Sequence, residues 1–128
     1  MGQERVVTFA AEAMPSWERV GELLGRSGFA VQMRMIDGQL AFPDEQPPEN
    51  WAELRVGTPQ GMVTIRRESD RVRLVTWGNA DAAMLQAWNT LAWAFAEVGG
   101  GRVEDGETSR SPDEFRRQAD LPPFLRGD

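Results

Sequence analysis

Apolar and polar side chains alternate along much of the first 77 residues, with the period of two that is typical of β-strands. Asp37-Gly38 is a strong signal for a two-residue hairpin turn, and further turn residues separate the later strands. Strands joined by turns this short pair as antiparallel neighbours, so the pattern predicts a β-meander. The predicted strands span residues 5–11, 29–35, 39–42, 51–57, 62–68 and 71–77, with a short one at 102–104.

Two segments have the spacing of amphipathic helices instead. The first begins at Ser16 and ends at Gly28, and the second begins within residues 79–81 and ends near Val98, before a run of three glycines. The stripe of the second helix that should face the sheet consists of Met84, Leu85, Trp88, Leu91, Ala92, Phe95 and Val98.

This order of elements predicts an α+β fold. We expect a two-layer arrangement in the order β-α-β(n)-α, in which an antiparallel meander of about five to seven strands carries two helices packed on one face. The alternative is a helix-grip-like sheet that curls around the C-terminal helix. Residues 1–128 are expected to form a single domain, in which residues 106–128 are an extended segment that packs back on the rest.

The segments between and after these elements are expected to be loops or short turns. Residues 43–50 contain three prolines and three acids, which indicates a stiff surface loop. Residues 105–112 are predicted to be a loop, and residues 112–119 one or two helical turns.

Trp93 lies on the side of the second helix opposite the apolar stripe. Its neighbours on that side, which the pattern assigns to solvent, are Gln86, Asn89, Thr90 and Glu97. Burying such a side chain contributes about 2 kcal/mol or more, so we expect a cover for it. The cover is either the apolar tail at residues 121–125 or another protein chain, and simple exposure is the remaining alternative.

Four arginines are expected to share the outer face of the sheet. The inward positions of the three central strands are Leu54, Val56, Val63, Ile65, Val72 and Leu74. Alternation then places Arg34, Arg55, Arg66 and Arg73 on the opposite face. Guanidinium groups bind carboxylate or phosphate in a bidentate manner, which makes these arginines, together with Trp93, the candidate partner- or ligand-binding residues. The alternative is a solvated face on which arginines and Glu53 form cross-strand pairs.

The residue types that are missing exclude many kinds of chemistry. The chain of 128 residues has no Cys, no His and no Tyr, and all 14 basic residues are Arg. Thiolate nucleophiles, imidazole-based triads, Schiff bases and zinc sites with Cys or His ligands are therefore excluded. The exposed loop carboxylates Asp37, Asp44, Glu45 and Glu49, and a second set at Asp105, Glu107, Asp113 and Glu114, have neither calcium-loop spacing nor an environment suited to acid–base catalysis. We expect no enzyme activity, no metal and no cofactor.

The net charge of −6 argues against nucleic acid or an anionic membrane as partner. No run of apolar residues is long enough to span a membrane, so a cytoplasmic location is expected, and the arginine-only usage indicates a GC-rich, bacterial source. The composition favours a small, soluble, non-catalytic interaction module that binds a protein partner or a second copy, such as an inhibitor or immunity-type protein. The alternative is a small-molecule-binding domain with an apolar cavity between sheet and long helix, where Arg34 or Arg73 contacts an anionic group.

Overall fold

The computed structural model describes residues 2–10, 14–77, 80–119 and 121–122. Within these ranges the chain forms eight strands and three helices, which confirms the predicted α+β class with an antiparallel sheet. The strands are β1 (Gly2–Thr8), β2 (Gln32–Ile36), β3 (Gln39–Leu40), β4 (Glu53–Thr58), β5 (Gly61–Arg67), β6 (Arg71–Trp77), β7 (Arg102–Asp105) and β8 (Thr108–Arg110). The helices are α1 (Trp17–Arg26), α2 (Ala82–Gly99) and α3 (Pro112–Gln118).

One sheet contains all of these strands, in the order β3-β2-β4-β5-β6-β1-β7-β8. Strands β4, β5 and β6 are neighbours in chain order, as their short turns require. The first strand pairs with both β6 and β7, and so joins the parts of the sheet that precede and follow α2. This long-range pairing has no signature in the local pattern of the sequence.

The C-terminal part is more regular than the sequence predicted. Residues 105–112 were expected to form a loop, but they contain β8, which pairs with β7 and brings the strand number above the predicted range. The pattern missed β8 because it has three polar residues at the edge of the sheet, without apolar alternation. Helix α3 follows at once, with a reciprocal capping box between Ser111 and Glu114.

Strand β2 departs from the alternation that its sequence suggests. Met33 pairs with Val56, but Met35 pairs with Arg55, so an extra residue is inserted at Arg34. This β-bulge moves Met35 to the outer face, where the sequence had placed it on the inner one. The prediction was wrong because Met33, Met35 and Ile36 are all apolar, so the sequence is compatible with a regular strand and with a bulged one.

Helix α2 covers the inner face of the sheet and is itself enclosed. It contacts β1, β5, β6 and β7, while α1 and α3 both pack against it. The Trp88 indole N–H donates to the Leu74 carbonyl at 2.8 Å and fixes the helix on β6. Eleven of the 18 residues of α2 are buried, including Asn89, Thr90 and Trp93, so the side predicted to face solvent is mostly covered. None of the described helices is long and apolar enough to cross a membrane.

Candidate functional site

The outer face of the sheet carries the four predicted arginines on the adjacent strands β2, β4, β5 and β6. Arg66 and Arg73 are direct cross-strand partners, and Arg55 lies opposite Thr64. Alternation predicts this common face, because the residues between them, such as Leu54, Ile65 and Leu74, are fully buried on the other side.

Carboxylates neutralise three of these arginines. Glu53 lies between two of them, with one carboxylate oxygen 3.3 Å from Arg66 Nε and the other 3.8 Å from Arg55 Nε. Arg73 donates to Glu68 and to Glu4, each at 2.5 Å. The hydrogen bond to Glu68, and to a smaller extent the one to Glu4, raises the pKa of Arg73, so the guanidinium stays charged. Most of the outer face is therefore an internally paired network.

Arg34 differs from the other three. It forms no ion pair with a carboxylate in the described part of the chain. Its side chain lies against Gly57 on β4, where a Cβ would come within 2.8 Å of the Arg34 Nε. Together with Gln32, Thr58 and Pro59, Arg34 lines a recess of about 270 Å³. Its guanidinium is thus available to an anionic group from outside the molecule.

Two large apolar side chains are exposed beside Arg34. Leu40 is 89% exposed and Phe42 is 74% exposed. Leu40 pairs with Met35, which shares the outer face with Arg55. Phe42 lies two residues beyond the end of β3, next to Ala41, whose N–H donates to the Arg34 carbonyl. We call Arg34, Leu40 and Phe42 the hairpin edge. Exposed apolar residues that adjoin an unpaired charge are typical of surfaces that bind another protein.

The hairpin turn that presents this surface is held by Asp37. Asp37 and Gly38 both have positive φ, 49° and 81°, as a tight two-residue turn between antiparallel strands requires. Asp37 Oδ1 accepts hydrogen bonds from the Glu53 N–H at 2.9 Å and the Ala52 N–H at 2.8 Å. These two bonds lower the pKa of Asp37, so the carboxylate is ionised and ties the hairpin to β4.

The backbone of this edge is already partly satisfied. The Ala41 N–H donates to the Arg34 carbonyl at 3.0 Å, and the Glu45 N–H donates to the Phe42 carbonyl at 3.0 Å. The Phe42 N–H donates to the Glu45 side chain at 3.1 Å. Both backbone groups of Phe42 are used within the chain, so an added strand could not pair at Phe42, and this residue offers its side chain for docking.

Trp93 does not belong to this surface, because it is 6% exposed and forms part of the core. Of the predicted tail, Leu121 is fully buried, and Pro122 lines a recess with Ala83, Gln86 and Ala87 on α2. Residues 123–128 lie outside the described residues.

Two arginines outside the predicted set, Arg5 and Arg67, face the core. Arg5 lies over the Trp88 ring at 4.5 Å, and Arg67 lies over the Trp51 ring at 4.8 Å. Their positions alternate with outer residues, so the period of two could have identified them. Arg34 and Arg73 lie on the outer face, whereas the small-molecule alternative requires one of them to reach an inner cavity.

The described residues include most of the loop carboxylates considered for acid–base chemistry. They contain no group of three or more Asp and Glu side chains arranged to hold a metal ion. The lowered pKa of Asp37 suits a permanently charged structural group, and the Ser111 backbone hydrogen bond similarly lowers the pKa of Glu114. Among the second set of carboxylates, Asp113 forms ion pairs with Arg116 and Arg117, and the Asp105 side chain lies outside what the structure describes.

No family model matches the chain, and no curated protein or solved structure matches it either.

Proposed function

We propose that the protein is a small non-catalytic interaction module that binds a partner protein through the hairpin edge. The observation that carries this proposal is the exposure of Leu40 and Phe42, 89% and 74%, beside Arg34, which forms no ion pair with any carboxylate that the structure describes. Exposing these two side chains to water is unfavourable, because apolar surface is more stable when it is buried. A partner that covers them would remove this apolar surface from water and gain the hydrophobic free energy.

The chemistry of this surface defines the partner. Two apolar side chains would contact apolar residues of the partner, while Arg34 pairs with a carboxylate in its recess beside Gly57. An inhibitor or immunity-type protein, which acts by occupying the surface of its target, fits this role. Self-association through the same surface is the competing form of the proposal, and the experiment below separates the two.

Small-molecule binding has less support. That alternative needs an apolar cavity between a curled sheet and α2, with an arginine that reaches inward. Leu91 and Phe95 of α2 and Leu54 and Ile65 of the sheet are all fully buried, which is typical of a filled core. The inward arginines, Arg5 and Arg67, are stacked on aromatic rings.

The proposal is tested by photo-crosslinking in cells of the source organism. A photoreactive amino acid replaces Phe42 in one variant and Glu97, an exposed residue at the end of α2, in a control variant. We expect position 42 to capture one defined protein that position 97 does not, and Arg34→Glu to reduce that capture. Crosslinks to a second copy of the chain would select self-association. Equal capture from both positions, or none from position 42, would overturn the proposal.

A further inference from the structure

A second surface lies on the helix side of the sheet, between α1 and the proline-rich loop at residues 43–50. Three adjoining recesses of about 400, 370 and 380 Å³ form a continuous groove there. The first two recesses share Trp17, Glu18 and Gln46, and the last two share Met14, Trp51 and Arg67. Each recess is large enough for a side chain or small group, and three in line suit an extended chain.

The floor of the groove is aromatic and firmly held. Trp17 begins α1 and packs at 6.1 Å from the Phe95 ring of α2. Trp51 lies under the Arg67 guanidinium, which also donates to the Glu49 carbonyl at 2.6 Å. The Trp51 N–H donates to the Pro48 carbonyl at 3.1 Å, so the loop is tied to the floor. The groove therefore exists before any ligand binds.

The rim of the groove is acidic. Glu18 and Glu22 on α1 face Asp44 and Glu49 on the loop. None of these four forms an ion pair with a basic residue in the described ranges, unlike the carboxylates of the outer face. Arg67 is the basic residue among those that line the groove, and its contacts with Trp51 and Glu49 hold it in place.

We propose that this groove binds an extended, arginine- or lysine-bearing segment of a partner protein. Cationic side chains would pair with the rim carboxylates above a floor formed by Trp17 and Trp51, which are themselves buried. The proposal is independent of the hairpin edge, because the groove contains none of Arg34, Leu40 and Phe42.

The test uses a short fluorescein-labelled peptide of alternating arginine and proline, titrated with the full chain and followed by fluorescence anisotropy. The groove variant is Glu18→Gln with Asp44→Asn. The control variant, Glu97→Gln with Glu107→Gln, makes the same change in net charge at exposed positions outside the groove. We expect the groove variant to weaken binding about 10-fold, because two partly exposed ion pairs contribute ~1.4 kcal/mol together, and the control less than about 2-fold.

Three results would overturn the proposal. Equal weakening by both variants would mean that the peptide is attracted by the net negative charge alone. Tighter binding of a matched glutamate–proline peptide would mean that Arg67 selects an anionic ligand. The absence of binding at low salt, where ion pairs are strongest, would mean that the groove has no cationic ligand of this kind.

Discussion

Replacing Asp37 by asparagine should lower the free energy of unfolding by about 1 kcal/mol at neutral pH. The substitution keeps an oxygen that can accept from the Ala52 and Glu53 N–H groups, and asparagine tolerates the positive φ of 49° at this position, so the change removes the charge alone. A charged acceptor adds about 1 kcal/mol per hydrogen bond over a neutral one, and the exposure of this turn reduces the sum for the two bonds by about half.

The loss should depend on pH in a defined direction. The pKa of Asp37 is lowered from its ordinary value of 3.8 by the backbone hydrogen bonds from Glu53 and Ala52. A carboxylate with a lowered pKa contributes stability above the unfolded-state value, and this contribution disappears as the pH falls through the folded-state pKa. The wild-type protein and the Asp37→Asn variant should therefore differ at neutral pH and converge in strong acid.

Urea denaturation followed by tryptophan fluorescence measures this difference. With a slope of about 1.5 kcal/mol per molar urea, a loss of 1 kcal/mol moves the midpoint by ~0.7 M. Asp44→Asn, in the exposed loop that follows the hairpin, is the matched control and should leave the midpoint unchanged. An equal loss at pH 7 and at about pH 2.5, or no loss at either, would refute the role of the Asp37 carboxylate.

Three other substitutions test the remaining structure. Trp93→Ala should destabilise the fold by about 3 to 5 kcal/mol in the same urea assay, because the indole is buried in the core. A loss below about 1 kcal/mol would contradict that placement. A double-mutant cycle on Glu53 and Arg66 should give a coupling of about 0.2 to 1 kcal/mol, since the pair is largely exposed, and a value well above this range would indicate a buried network. Gly57→Ala should change the free energy of unfolding by less than about 0.5 kcal/mol but shift the NMR signal of the Arg34 Nε–H, because the new Cβ would lie 2.8 Å from that nitrogen. An unmoved signal would contradict the contact.

Local alternation was sufficient to predict the centre of the sheet. The inner residues of β4, β5 and β6 were assigned from their period of two, and they are fully buried: Leu54, Val56, Val63, Ile65, Val72 and Leu74. The same alternation assigns Arg55, Arg66 and Arg73 to the outer face. Strands that are covered on one face carry this information in their own sequence, and neighbouring turns limit their pairing.

The features that the sequence did not predict depend on contacts between distant segments. The helical wheel placed Trp93 on a solvent-facing side because it contains no information about α1 and α3, which pack against α2. The pairing of Arg73 with Glu4 joins β6 to β1, whose neighbours in the sheet are set by the whole topology. The bulge at Arg34 is equally invisible, since the apolar residues around it fit both registers.

The hairpin edge was also missed as a surface. The sequence predicted a strand at residues 39–42 but not its place in the sheet. Leu40 lies on the outer face of β3, the last strand at one end of the sheet, and Phe42 lies in the segment that follows this strand. A terminal position in the sheet follows from the complete strand order, which no local pattern specifies.

The central claim is that Leu40 and Phe42 bind a partner, and its most direct test is a dissociation constant. The partner captured at position 42 is titrated, by isothermal titration calorimetry, with the wild-type chain and with the Leu40→Ser/Phe42→Ser variant. Burying two such side chains contributes at least about 3 kcal/mol, so the variant should bind ~100-fold or more weakly, with an unchanged urea midpoint because both residues are exposed in the free protein. Equal dissociation constants for the two proteins would contradict the account.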